Sequence, residues 1–138
     1  MDIAHIVYRV NFAVSVEQFI DILTRSTLGR RRPVDDRDCM EQVVKHTTLM
    51  VSAWDGELLV GIARSITDFA YACCLADLAV DERYQRQGIG QALIAESQKS
   101  LGPRCTIRLI SAPAAVEFYR AVGFTPNANC WERKQPAS

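Results

Sequence analysis

Residues 69–80, FAYACCLADLAV, form a near-continuous apolar run that carries a single charge, Asp77. The run is far too short to span a bilayer, and its continuity means that both of its faces are covered. It therefore reads as a strand at the centre of a sheet with helices on both sides, which commits the chain to an α/β architecture.

The flanking segments fit that frame. His5 to Val10 suits a first strand, and Ser15 is a good N-cap for VEQFIDILTRST, whose apolar positions 16, 19, 20 and 23 have helical spacing. The polar stretch GRRRPVDDRD, around residues 29–38, reads as a connection, after which Asp36 or Asp38 can cap a second helix, MEQVVKHT. TLMVSAW and ELLVGIARSI follow as two strands joined at Asp55 and Gly56, a hairpin. Beyond the central strand and the polar loop DERYQRQ, the segment Gly88 to Leu101 places Ile89, Leu93, Ile94 and Ser97 on one helical stripe, ended by Gly102 and Pro103. CTIRLI is the next strand. Ser111, Ala112 and Pro113 start a last helix, AAVEFYRAV, that Gly123 stops, and a final strand is expected near Cys130 to Arg133. The expected order is βααβββαβαβ in one domain spanning residues 1–138.

Composition narrows the function. Sixteen Lys and Arg balance sixteen Asp and Glu among the 138 residues, which removes the broad basic field of nonspecific nucleic-acid binders. A chain of this size buries about 68% of the surface its unfolded form exposes, so no metal or disulfide is demanded for a core. The amino terminus, MDIAHIVYRV, has no basic region, no long apolar stretch and an early Asp2, unlike a secretory signal. The five cysteines (39, 73, 74, 105 and 130) form no CxxC pair and no metal-ligand spacing, which fits reduced thiols in a cytoplasmic protein.

The stretch LAVDERYQRQGIGQALI carries the chemistry. An apolar strand ends, a polar loop intervenes, and a glycine pair opens an amphipathic helix. Unpaired amides and a partial positive charge at a helix N-terminus can hold a pyrophosphate. Gly88 and Gly90 let phosphates approach the backbone, and Arg86 adds positive charge nearby. A strand-to-helix turn that uses glycine only for flexibility would look the same. The dinucleotide fingerprint fails because position 93 is Leu93, and a phosphate-binding Walker loop would need GK followed by Ser or Thr.

LAV, then QRQGIG as QxxGxG, then FYRAVGF near the end together resemble the GNAT superfamily of acetyl-CoA-dependent N-acetyltransferases, and the short length resembles its small bacterial single-domain members. The resemblance covers most of the chain. It implies a mixed central sheet splayed between the fourth and fifth strands and flanked by about four helices. It assigns the pyrophosphate of acetyl-CoA to Gln85, Arg86, Gln87, Gly88, Ile89, Gly90 and Gln91, and the pantetheine arm to the backbone of Leu78, Ala79 and Val80. An amide near Leu78 would face the thioester oxygen as an oxyanion donor, while the side chains of Leu78 and Val80 fill the interior. Tyr119 corresponds to the tyrosine that protonates the departing thiolate, a task that suits a phenol of pKa about 10. Simple helix packing is the alternative for Tyr119 and the expectation for Phe118.

The sequence departs from the family pattern at two positions. Ala112 stands where many relatives carry an Asn that contacts CoA, and Cys74 stands where some histone-directed members carry a glutamate base. The general base is thus unassigned. Asp77 and Tyr71 are candidate proton acceptors, although strand alternation puts Asp77 opposite Cys74 unless a bulge intervenes. Cys73 and Cys74, with apolar neighbours and no adjacent His, read as packing residues rather than acetyl carriers. His5 and His46 read as structural. The run Arg30 to Arg32 reads as a solvated face that could border an acceptor site for an acidic substrate.

The resulting expectation is transfer of acetyl from acetyl-CoA to a primary amine by direct attack in a ternary complex, without metal. Small amines, amino acids, aminoglycoside-like drugs and protein amino groups all stay open as acceptors, because the acceptor pocket is built where the sequence is least diagnostic. The rival reading is a catalytically silent acyl-CoA-binding sensor or interaction module. Nucleic acid and membrane are not expected partners, and a homodimer is left open.

Overall fold

The computed structural model describes residues 5–137, so the sequence reading of the extreme amino terminus, including Asp2, lies outside the described residues. Five strands and four α-helices follow in the order β1 (Val7–Val10), α1 (Val16–Arg25), α2 (Arg37–Lys45), β2 (Leu49–Asp55), β3 (Leu58–Thr67), β4 (Ala72–Val80), α3 (Ile89–Lys99), β5 (Thr106–Arg108) and α4 (Val116–Ala121). Short 3₁₀ turns lie at Leu28–Arg31, Glu82–Tyr84 and Pro113–Ala115. No helix among the described residues is long and apolar enough to cross a membrane.

The sheet runs β1-β2-β3-β4-β5, antiparallel up to β4 and parallel between β4 and β5. Its two faces carry separate cores. One is packed by α1 and α2 through Phe19, Ile22, Leu23 and Met40 against Met50, Trp54, Leu59, Ile62 and Ala79. The other is packed by α3 through Ile89, Leu93 and Ile94 against Leu49, Val51, Ala53, Val60, Ala63 and Leu75. The continuous apolar character of β4 is thereby explained, since it serves both.

Local signals act as their chemistry requires. Ser15 Oγ accepts the Gln18 N–H while Gln18 Oε1 accepts the Ser15 N–H, a reciprocal cap at 3.1 and 2.9 Å. Asp36, of the two candidate caps, accepts the Cys39 N–H and starts α2.

β4 holds two irregularities that define the site. Arg64 faces Asp77 and Ser65 faces Leu75, so Ala76 is an extra residue, a bulge. β5 pairs only with Ala72, Cys73 and Cys74, so from Leu75 to Val80 the sheet is open on that side. The splay between strands four and five is therefore present.

The expected last strand near Cys130 to Arg133 does not form; residues 124–137 contain no regular element. Pro126 has no N–H to donate, and Asn127 Oδ1 ties up the Asn129 N–H at 2.9 Å in a local turn. Trp131 is 91% exposed as a result, and a cavity of about 1120 Å³ separates β5 and α4 from this segment. The last helix is also shorter than expected, because residues 113–115 form the 3₁₀ turn instead.

Candidate active site

Backbone accounting along β4 locates an open hydrogen-bonding edge. The Asp81 N–H donates to Val60 O, which fixes residues 81, 79 and 77 as those whose amides and carbonyls point toward β3. Val80, Leu78 and Ala76 then point the other way, to the side β5 has left. Two of their carbonyls are capped by side chains. Gln85 Nε2 donates to Val80 O at 2.9 Å, and Arg32 Nη2 donates to Ala76 O at 3.0 Å. Between them the N–H and C=O of Leu78, a non-hydrogen-bonded partner of Ala63, face the open edge. Leu78 and Val80 pack their side chains against the α3-side core.

The edge leads into a loop shaped for an anion. Tyr84 anchors the loop to the β2–β3 hairpin, its hydroxyl donating to Asp55 Oδ2 at 2.6 Å, a bond that holds the Asp55 carboxyl below its usual range. Arg86 has φ +64° and Gly88 φ +88°, so the chain turns twice through the left-handed region before α3 begins. Gly88 is the N-cap of α3 and offers no side chain to it, which leaves the first-turn amides unsatisfied from within the helix. A Cβ at Gly88 would meet nothing within 4 Å and would point into open space, whereas the space beside Gly90 is filled by the ring of Phe118.

Tyr119 stands on the helix that closes this arrangement. Its ring packs edge-on between Phe118 and Phe124, at centroid distances of 5.1 and 5.5 Å, and rests against the core cluster that includes Leu78. Burial raises the phenol above its usual pKa, and the positive charge of Arg32 pulls against that rise. A phenol held protonated in this way is a donor over the ordinary pH range. No described residue takes the Tyr119 hydroxyl as a hydrogen-bond partner, so it is available to a ligand.

The open strand edge ends at an uncapped helix N-terminus, with a phenol on the facing helix. In comparison with known proteins, residues 30–134 fit the family described as acetyltransferase (GNAT) domain. The chain belongs to the GNAT acetyltransferase family. A GNAT family acetyltransferase from Streptococcus pneumoniae TIGR4 has the same fold, with a TM-score of 0.75 at 24% identity, covering 94% of this chain and 99% of that one. An aminoglycoside N-acetyltransferase, AAC(6')-Iy, solved in complex with CoA, superposes with a TM-score of 0.70 at 16% identity, covering 96% of both chains. Among curated proteins, the soybean (Glycine max) histone acetyltransferase TAP1 is 41% identical over 68 residues, 48% of this chain. The match spans only 29% of that relative's length.

In this GNAT domain, Asp77 is buried and each of its carboxylate oxygens is paired with a guanidinium, which makes it a poor base. The Ala76 bulge turns it to the same side of the sheet as Cys74, the exception that alternation allowed, and there it is 2% exposed. Arg32 Nε donates to Oδ1 at 2.6 Å and Arg64 Nε donates to Oδ2. Tyr71 is 70% exposed, outside the core. Cys73 is buried, and burial pushes its thiol up, which fits a packing residue; Cys74 is instead exposed, and all five cysteines are free. His5 bonds Asp55 at 2.8 Å and His46 caps the end of α2.

Two ionic nodes of the GNAT domain were not identified from sequence. Asp77 joins the Arg32-bearing connection to β4. Asp81, at the end of β4, receives Arg25 and Arg83 together with the Arg83 N–H. The available signal was the isolated carboxylate within an apolar strand: a charge that cannot reach water must find a cation.

Proposed function

We propose that the protein is an N-acetyltransferase that moves acetyl from acetyl-CoA to a primary amine by direct attack within a ternary complex. The observation that carries this reading is the continuity of the exposed Leu78 backbone with the uncapped N-terminus of α3, an extended hydrogen-bonding edge running into an anion cradle. The features fit the cosubstrate, which supplies an acetyl thioester: Leu78 can pair with an amide-bearing arm as a neighbouring strand would, and the Gln85 to Gln91 loop can take a pyrophosphate.

The residues divide the work. The Leu78 N–H, fixed by the sheet, donates to the oxygen on which negative charge develops, at no cost in reorganisation. Tyr119 holds a proton for the departing sulfur, its phenol kept neutral by burial. Asp77 is committed to two arginines, so the attacking amine loses its proton to water or to a base that acts only when the acceptor is bound.

The test is CoA release monitored with candidate amines beside acetyl-CoA binding. Turnover with any amine supports the enzyme. Tight acetyl-CoA binding with no turnover across amino acids, polyamines, aminoglycosides and amino-terminal peptides supports a sensor of the same fold and defeats this reading.

A further inference from the structure

Building on the N-acetyltransferase reading, we propose that the acceptor amine also bears a carboxylate, which is held by the guanidinium of Arg32.

The charges around Asp77 do not balance. Two guanidiniums, Arg32 and Arg64, converge on one carboxylate, and no other acidic group among the described residues pairs with either. The Asp77 and Arg64 side chains are 2% and 11% exposed, while Arg32 is 29% exposed. The cluster therefore holds a surplus positive charge with one door to solvent, and that door is Arg32. A partly desolvated surplus charge is stabilised by an anion, and a carboxylate from the ligand has the matching chemistry.

Arg32 has the donors to spare. Of its five N–H groups, Nε is given to Asp77, one on Nη1 to Arg31 O and one on Nη2 to Ala76 O. One N–H on each Nη is left without a partner among the described residues. Three bonds to the protein hold the guanidinium in place, so little side-chain freedom remains to be lost when the other two engage.

Its position is on the acceptor side. Arg32 caps Ala76 O, two residues along the open edge from Leu78, whereas the anion loop and α3 lie in the other direction beyond Val80. Ala76 and Val80 are separated by about 13 Å of strand, which keeps this charge away from the pyrophosphate cradle. Arg32 is nevertheless close enough to the proton donor for its charge to act on Tyr119. A carboxylate bound there would set its neighbouring amine beside the acetyl position at Leu78.

The experiment compares free L-amino acids with the corresponding L-amino acid amides as acceptors, using the full chain and acetyl-CoA. Rates are corrected for the fraction of each amine that is unprotonated. The expected result is a kcat/KM at least about tenfold higher for the acids, as charge-assisted recognition gives. In Arg32→Gln the ratio should fall to within about threefold, and Arg32→Lys should retain part of it as a point charge. Acetyl-CoA affinity of each variant, by thermal shift, reports whether fold and cofactor loop survive; the wild-type comparison decides even if a variant does not fold. Equal rates for acids and amides, a preference that persists in Arg32→Gln, or acetylation confined to amines without a carboxylate would overturn the inference while leaving the N-acetyltransferase intact. Failure to acetylate any amine would defeat both.

Discussion

The ring of Phe118 fills the space that a side chain at Gly90 would need: a Cβ there would stand 3.2 Å from Phe118 Cζ. The glycine motif that opens α3 and the aromatic pair on α4 are thus one packed unit. Gly90→Ala gains about 0.5–1 kcal/mol of helix propensity and loses a comparable amount, about 1 kcal/mol, to crowding. Phe118 is 37% exposed and can yield at its ring tip, which keeps the crowding cost low. A double-mutant cycle with Phe118→Leu should therefore show a coupling of about 1 kcal/mol, near 4 °C in Tm. An additive cycle in thermal melts would mean that the two helices do not meet at this contact.

Gly88 differs, because its Cβ position is open and only its backbone resists substitution, at φ +88°. Both Gly88→Asn and Gly88→Asp should cost the free protein about 1 kcal/mol of strain, less for Asn, which tolerates this region better than most residues. They part on adding acetyl-CoA. Wild type should gain about 2.7 kcal/mol at a hundredfold excess over Kd. Gly88→Asp should gain almost nothing, since its carboxylate stands where phosphate charge is expected, and Gly88→Asn should keep part of the shift. A full shift in a folded Gly88→Asp protein would remove the pyrophosphate from this loop.

Asp81 gives an acid-side prediction. Burial alone would raise its pKa, but hydrogen bonds from the Arg83 side chain and amide and from Arg25 overcome that and bring it from 3.8 to about 2. Because the folded value is depressed, the stabilisation is complete above the unfolded pKa and is lost as pH falls through the folded one. Asp81→Asn should therefore be less stable than wild type at neutral pH, by at most about 2 kcal/mol given that Arg83 is open to solvent. The gap should close between about pH 4 and pH 2. Denaturant titrations followed by tryptophan fluorescence at several pH values would show it; a gap that stays constant down to pH 2 would rule out Asp81 as the titrating group.

Hydrophobic periodicity carried the order of the elements up to α4 and the burial of β4 on both faces, because burial on one face or two writes itself directly into spacing. It did not place β4, which is the fourth of five strands and open along Leu75 to Val80 rather than central. Hydrogen bonds that depart from the pattern were hidden. Asp68 Oδ1 accepts the amides of Ala70, Tyr71 and Ala72 at 2.9, 2.8 and 3.0 Å, and Phe69 sits at φ +65°. These bonds delay β4 to Ala72, although Phe69 to Tyr71 are as apolar as the strand itself. Local motifs were enough to single out the Gln85 to Gln91 loop and Tyr119 as candidates. The meeting of Arg32, Arg64 and Asp77 could not be found in this way, because it joins a connection, β3 and the residue beside a bulge, and no local spacing encodes that encounter.

Tyr119→Phe separates catalysis from packing. The change removes one hydroxyl and little volume from a ring wedged between Phe118 and Phe124, so the melt should move little. Acetyl-CoA affinity should change by less than about 1 kcal/mol, the net worth of an ordinary hydrogen bond. The rate of acetyl transfer should fall far more, by about 10²- to 10⁴-fold, or roughly 3 to 5 kcal/mol of barrier, if the phenol protonates the leaving thiolate. Burial raises the Tyr119 pKa, so the phenol remains protonated at and somewhat above its ordinary value, and the wild-type rate should hold on the alkaline side until the phenol titrates. That decline should be absent from the residual activity of Tyr119→Phe. A packing tyrosine gives the reverse: a lowered Tm and a near-normal rate per folded molecule. If CoA release by Tyr119→Phe, measured beside a melt on the same preparation, stays above about half the wild-type rate, another group supplies the proton.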